Sequence, residues 1–147
     1  MSSARSLLKY LLDVNVLVAL LEMDHAHHAL VERWWAASGL DWGVCALTEV
    51  GFLRIVTNPR VGSHTLEGAA ESLADLARRP GYRYWPVSET WTTLAAPFRE
   101  RVFGHQQITD AILLGLAVKH DGVLVTMDKA IRSMAGQRFA RHVLVLE

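Results

Sequence analysis

One cysteine, Cys45, occurs among 147 residues, so no disulfide can form within the chain and stability has to come from packing. Cys45 lies between Val44 and Ala46, apolar surroundings that suit a reducing compartment, and a cytoplasmic location is the expectation. Proline is scarce, at four residues, and no repeat, low-complexity tract or long linker divides the sequence. A single domain over residues 1–147 follows. No apolar run approaches the roughly 20 residues that span a bilayer. Ala111 to Val118 is only eight residues long. Tyr10 to Leu21, which follows Arg5 and Lys9, is broken by Asp13 and Asn15 and has no small-residue cleavage site after it. It reads as a buried strand and the start of a helix, and no membrane role is expected. Net charge is absent as well, with 15 Lys+Arg against 15 Asp+Glu. That balance excludes binding of nucleic acid or membrane by bulk attraction, so any phosphate-bearing partner must be recognised locally. Neither G-x-x-x-x-G-K-[ST] nor G-x-G-x-x-G occurs, which disfavours P-loop and Rossmann nucleotide enzymes.

What is present is a 51% hydrophobic sequence with short punctuation: Ser38-Gly39, Asn58-Pro59, Arg79-Pro80-Gly81, Gly104 and Asp121-Gly122. Between these marks, β-rich runs at Lys9 to Leu12, Trp42 to Ala46, Tyr82 to Val87, Gly122 to Thr126 and His142 to Leu146 alternate with helical patterns. Ala26, Leu30 and Trp34 mark one helical face, and Leu66, Ala69, Leu73, Leu76 and Ala77 mark another. Thr48 to Val56 and Gln107 to Lys119 read as two further helices, the second apolar on most sides and therefore central. Strands alternating with helices predict an α/β fold whose parallel sheet is covered on both faces, with every strand C-terminus along one edge.

Four acids fall at that edge. Asp13 ends the first strand run, Glu49 follows the second where a helix begins, Asp110 lies in the first turn of the apolar helix, and Asp128 follows Val123-Leu124-Val125-Thr126 by two residues. Taken singly, Glu49 and Asp110 suit ordinary helix N-termini with Thr48 and Thr109 as caps, and Asp128 suits a turn. Asp13 does not, because an acid inside Leu11-Leu12-Asp13-Val14-Asn15-Val16 is costly to bury unpaired. Grouped carboxylates repel one another, and a hard divalent cation, Mg²⁺ or Mn²⁺, resolves the conflict. Such an ion activates water and neutralises charge on a phosphodiester, with one or two metals both possible.

At these residues the sequence resembles the PIN-domain family, and more closely the VapC-type ribonuclease toxins. The matching stretches are Leu11-Leu12-Asp13-Val14-Asn15-Val16-Leu17, Thr48-Glu49-Val50-Gly51-Phe52-Leu53-Arg54, Ile108-Thr109-Asp110-Ala111-Ile112-Leu113-Leu114 and Val125-Thr126-Met127-Asp128-Lys129. The resemblance implies a single-domain α/β/α sandwich around a short parallel sheet of four to five strands. It also implies Mg²⁺-dependent endoribonuclease activity on structured RNA, homodimerisation, and inhibition by a cognate VapB-like antitoxin. Carried over by position, Asp13, Glu49, Asp110 and Asp128 form the catalytic and metal-binding cluster, and Asn15 and Thr126 take the place of supporting polar groups. Two rivals stay open: a non-catalytic scaffold that binds RNA or protein, and a receiver-like phosphoacceptor. Receivers pair acids in the first loop, whereas here one Asp ends the first strand and another acid opens a helix.

RNA contacts have to come from local basic clusters. Candidates are Lys129, Arg132, Arg138 and Arg141, then Arg78, Arg79 and Arg83, then Arg54 and Arg60. Arg54 and Lys129 rank first because they lie nearest the acids in sequence. His25, His27 and His28 read as a segment leading into a helix rather than a zinc site, and His105 lies just before the Asp110 helix. Asn58-Pro59-Arg60 reads as a helix stop. Of the consecutive Trp34 and Trp35, one is expected to face the core and the other solvent. Setting four acids in one crevice leaves eleven others against fifteen cations, a basic excess available to an RNA chain.

Overall fold

The chain was analysed as a computed structural model that describes residues 8–38 and 41–147. Arg5 and Gly39 lie outside the described residues. The strands are β1 (Tyr10–Leu12), β2 (Trp42–Val44), β3 (Tyr82–Tyr84), β4 (Val123–Thr126) and β5 (Val143–Val145). They form one wholly parallel sheet in the order β3-β2-β1-β4-β5. The helices are α1 (Val14–Leu21), α2 (His28–Ser38), α3 (Ala46–Val56), α4 (Leu66–Leu76), α5 (Trp91–Ala95), α6 (Ile108–Lys119) and α7 (Lys129–Ala135), with 3-10 turns at Ala96–Arg101, His105–Gln107 and Ala140–His142.

Alternation along the central strands divides the core in two. Leu11 and Leu124, paired across β1 and β4, face a cluster built from Leu94 and Ala95 of α5, Ala111 to Leu114 of α6, and Ile131 and Met134 of α7. Their neighbours Leu12 and Val125, also paired, face the opposite cluster, with Val16 and Leu17 of α1, Val31 of α2, Phe52 of α3, and Ala69 and Leu76 of α4. The helices returning from β1 to β2 and from β2 to β3 therefore cover one face, and those serving β4 and β5 cover the other. This is the α/β/α sandwich expected from the sequence. Right-handed crossovers demand that the covering face change where the strand order reverses, between β1 and β4. Ligands of open α/β sheets bind at such a switch point.

Every strand was expected to be longer than it is. Trp42 to Ala46 is cut at Val44 because Cys45 already takes the N-cap position of α3. Tyr82 to Val87 is cut at Tyr84 at the outer edge of the sheet. Asp121, with φ 51°, turns the chain from α6 into β4. The helix stop at Asn58-Pro59-Arg60 falls two residues after α3 ends at Val56. Among the described residues, no helix is long and apolar enough to cross a membrane.

Candidate active site

Asp13 and Asp128 follow the two strands that flank the switch point. Asp13 caps α1, its Oδ1 accepting from the Val14 amide at 2.7 Å, while its other oxygen accepts from the Thr126 hydroxyl at 2.8 Å. That hydroxyl also accepts from the Asp128 amide at 3.0 Å, and Asp128 Oδ1 caps α7 through the Ala130 amide at 2.9 Å. Asp13 is 5% exposed and Thr126 fully buried. Burial pushes the Asp13 carboxyl above the ordinary range, the Thr126 and Val14 hydrogen bonds pull it back, and the charge of Asp128 adds to the rise.

Asp110 comes to the same place from the other face. It lies in the first turn of α6, whose start is anchored by the Trp91 indole donating to the Ile108 carbonyl at 2.8 Å. Burial, then the charges of Asp13 and Asp128, push its carboxyl up to about 7. Three carboxylates from three separate elements are therefore electrostatically coupled. They line one crevice of about 450 Å³ together with Asn15, Gln106, Thr109 and a wall from α3.

That wall consists of Leu47, Val50, Gly51, Arg54 and Ile55, one stripe at helical spacing. Glu49 is outside the stripe, on the far side of α3. Its carboxyl is raised by burial alone, and its charge acts on Tyr82 of β3, whose hydroxyl is pushed up by burial, then by Glu49, then by Tyr84. Of the four acids expected at the site, three line this crevice, and Glu49, about half a helical revolution from the stripe on α3, is not among its lining residues. Thr48 and Thr109 are not caps either. Thr48 is buried and donates to the Leu12 carbonyl at 3.1 Å, tying α3 to the end of β1. Thr109 sits within the first turn of α6, and the cap position belongs to Gln107.

Gly51 has a packing reason to be glycine. A Cβ there would lie 2.6 Å from a Val14 methyl, so α3 crosses beside Asp13 only because that position is bare. The sequence offered a signal, since a glycine inside a helical pattern marks a close approach. Gln106 and Thr109 carried no comparable signal.

The remaining candidates divide. Asn15 and Arg54 line the crevice and Thr126 supports it from beneath. Lys129 is not among the lining residues: it pairs with Glu147 at 3.3 Å, and Arg132 reaches the same carboxylate at 3.9 Å. Arg141 pairs with Asp121, so three of the four basic residues of the tail are engaged by two acids distant in sequence. His28 opens α2 and its Nδ1 lies 2.8 Å from the Ala19 carbonyl, as suits a segment leading into a helix. His105 is exposed and outside the crevice. Trp34 and Trp35 are both half-buried against the core, stacking edge-on to Tyr10 and Trp42, which corrects the expectation that one of them faces solvent.

The donor set fits a hard divalent cation: carboxylate oxygens, mutually repelling, with no cationic side chain paired to them among the described residues. Among the described residues, no three acidic, His or Cys side chains converge closely enough to ligate one ion together. Mg²⁺ tolerates this, since it keeps several waters and takes one or two carboxylates directly.

Residues 10–137 match the PIN domain. The chain belongs to the PIN-domain family, an assignment the parallel sheet and the acids at its switch point agree with. Within that family it belongs with the VapC-type ribonucleases. Ribonuclease VapC39 of Mycobacterium tuberculosis is 38% identical over 128 residues, spanning 85% of this chain and 92% of that protein. Ribonuclease VapC44 of the same organism is 36% identical over 126 residues, spanning 84% and 89%. Among solved structures, PAE2754 from Pyrobaculum aerophilum superposes with a TM-score of 0.60 at 19% identity, over 87% of this chain and 80% of that one. VapBC2 from Rickettsia felis, bound to a DNA fragment from their promoter, gives 0.60 at 14% identity, over 95% and 100%. At these identities the structural likeness is one of fold.

Proposed function

We propose that the chain is the toxin of a toxin–antitoxin pair, a divalent-metal-dependent endoribonuclease in which Asp13, Asp110 and Asp128 form the acidic site. The observation that carries this reading is the gathering of those three carboxylates in one open crevice at the switch point, where burial first and then the charges of Asp13 and Asp128 push Asp110 up to about 7. The ion would be held by one or two of these carboxylates directly and by water molecules that the remaining acid can reach. Mg²⁺, or Mn²⁺ in its place, supplies charge neutralisation at the phosphodiester and a more acidic water.

The chain's own residues do the rest. Thr126 fixes the Asp13 carboxylate through its hydroxyl and, through the Asp128 amide, sets the start of α7. With its carboxyl pushed up to about 7 by burial and by the charges of Asp13 and Asp128, Asp110 carries a proton part of the time near neutral pH. Asn15 offers its amide at the crevice lining, and Leu47 and Val50 form an apolar wall. A VapB-like antitoxin and a second copy of this chain are the partners in this reading, and the cytoplasm is its compartment.

The test is cleavage of RNA by the purified protein. Cleavage in Mg²⁺, its loss in EDTA and its return with Mn²⁺ are expected, as is a folded but inactive Asp13→Asn variant by circular dichroism. RNA binding without EDTA-sensitive cleavage would instead establish a non-catalytic scaffold. Expression alone should arrest growth, and co-expression of the antitoxin should relieve it.

A further inference from the structure

Arg54 differs from most of the basic side chains. Arg78, Arg83, Lys119, Lys129, Arg132 and Arg141 are all paired with carboxylates. Arg79 and Arg138 lie over the rings of Trp35 and Phe139. Arg54 has no hydrogen bond or ion pair among the described residues, and it is exposed although it lines a crevice containing three acids. Nor is it their counterion, since no ion pair joins it to Asp13, Asp110 or Asp128 among the described residues.

Its position is at a junction. Gly51, Arg54 and Ile55 line the acidic crevice and also a second cavity of about 330 Å³, which Asn58 and Val61 complete. The two cavities form one groove running along α3 from the acids toward the helix C-terminus. Beyond Arg54 its lining is uncharged. Asn58 Oδ1 accepts from the Arg60 amide at 3.1 Å, and the NH₂ of that side chain has no partner among the described residues. Val61 beside it is 69% exposed, an apolar surface on which a base can rest.

We infer that this groove is a nucleotide subsite: Arg54 holds the phosphate adjoining the scissile one, and Asn58 with Val61 receives the neighbouring base. The inference rests on the nuclease reading above and adds the path of the substrate to it. A guanidinium suits a phosphate that must be gripped rather than cleaved. A fixed amide donor selects a base that presents a carbonyl acceptor, uracil or guanine, over one that presents an amine at the same edge.

The experiment measures binding of labelled single-stranded RNA in Mg²⁺ to an Asp110→Asn parent, across a range of KCl concentrations. Adding Arg54→Ala should weaken binding about tenfold and reduce the slope of log K against log salt by about 0.7, the share of one phosphate on a single strand. Arg54→Lys should keep the slope. Asn58→Ala should also keep it while erasing the preference for uracil or guanine at one position of an oligonucleotide set. If the parent binds RNA and Arg54→Ala changes neither affinity nor slope, the subsite is wrong and the nuclease reading stands. A parent that binds no RNA overturns the subsite as well, and wild-type cleavage in Mg²⁺ then decides whether the nuclease reading falls with it.

Discussion

The Thr126 hydroxyl donates to Asp13 Oδ2 at 2.8 Å, joining residues 113 positions apart, and in the same place accepts the Asp128 amide. One side chain at the end of β4 thereby sets the orientation of the acid after β1 and the start of the loop bearing the acid after β4. Parallel pairing of Leu12 with Val125 makes this possible, because it brings the two strand ends level. The acidic site is thus a consequence of sheet register.

Thr126→Val keeps the shape of the side chain but leaves the Asp13 carboxylate and the Asp128 amide without their partner. Leaving such buried groups unsatisfied costs about 1–3 kcal/mol. A lower denaturation midpoint and weaker Mg²⁺ binding by calorimetry are the expected results, with Thr126→Ser recovering most of both.

Without metal, the acids should make stability depend on pH in an unusual direction. A carboxyl whose folded pKa is raised binds its proton more tightly when folded. Its stabilising contribution is therefore full below the unfolded carboxylate range and is lost as pH rises through the folded value, about 7 for Asp110. In EDTA, Asp110→Asn should accordingly gain in melting temperature relative to wild type between about pH 5 and about pH 8, and added Mg²⁺ should reverse the order at the upper end. A difference that stays flat with pH would contradict the coupling.

Glu49→Gln separates a site of three acids from one of four. Because Glu49 is not among the residues that line the crevice, RNA cleavage in Mg²⁺ should stay within a few-fold of wild type in that variant. The Tyr82 hydroxyl should titrate lower by ultraviolet absorbance, since the Glu49 charge that raises it is gone. A loss of cleavage as deep as that of Asp13→Asn would return Glu49 to the cluster.

Gly51→Ala adds a methyl where a Cβ would lie 2.6 Å from Val14. Val14 is the first residue of α1 and directly follows Asp13, so α3 can yield only by moving the wall of the crevice. Overpacking of this kind costs about 1–3 kcal/mol. Chemical denaturation should reveal that loss, and cleavage should fall with it although no polar group has been removed.

Much of this was legible in the sequence because it rests on local pattern. The β-rich runs ending at Leu12 and Thr126 fixed the two central strands, and Asp13 stood out as an acid in an apolar stretch. Asp110 and Asp128 were readable from their positions at a helix start and after a strand. Side-chain direction was not readable. Glu49 and Gly51 are two residues apart on one helix, and only the packing of α3 against Val14 decides which of them faces the acids. Helix α5 and the 3-10 turn after it were missed because five residues and a Pro97-containing turn give too little periodicity, and α7 was missed for the same lack of length. The pairing of Lys129 with Glu147 depends on β5 lying beside β4, a relationship that sequence spacing does not express.

The most direct test is the rate of RNA cleavage as a function of Mg²⁺ concentration for wild type and for Asp110→Asn. The three-acid site predicts a saturable rise for wild type and no cleavage by the folded variant at any Mg²⁺ concentration. Cleavage by Asp110→Asn at the wild-type rate, or wild-type cleavage that persists in EDTA, would contradict it.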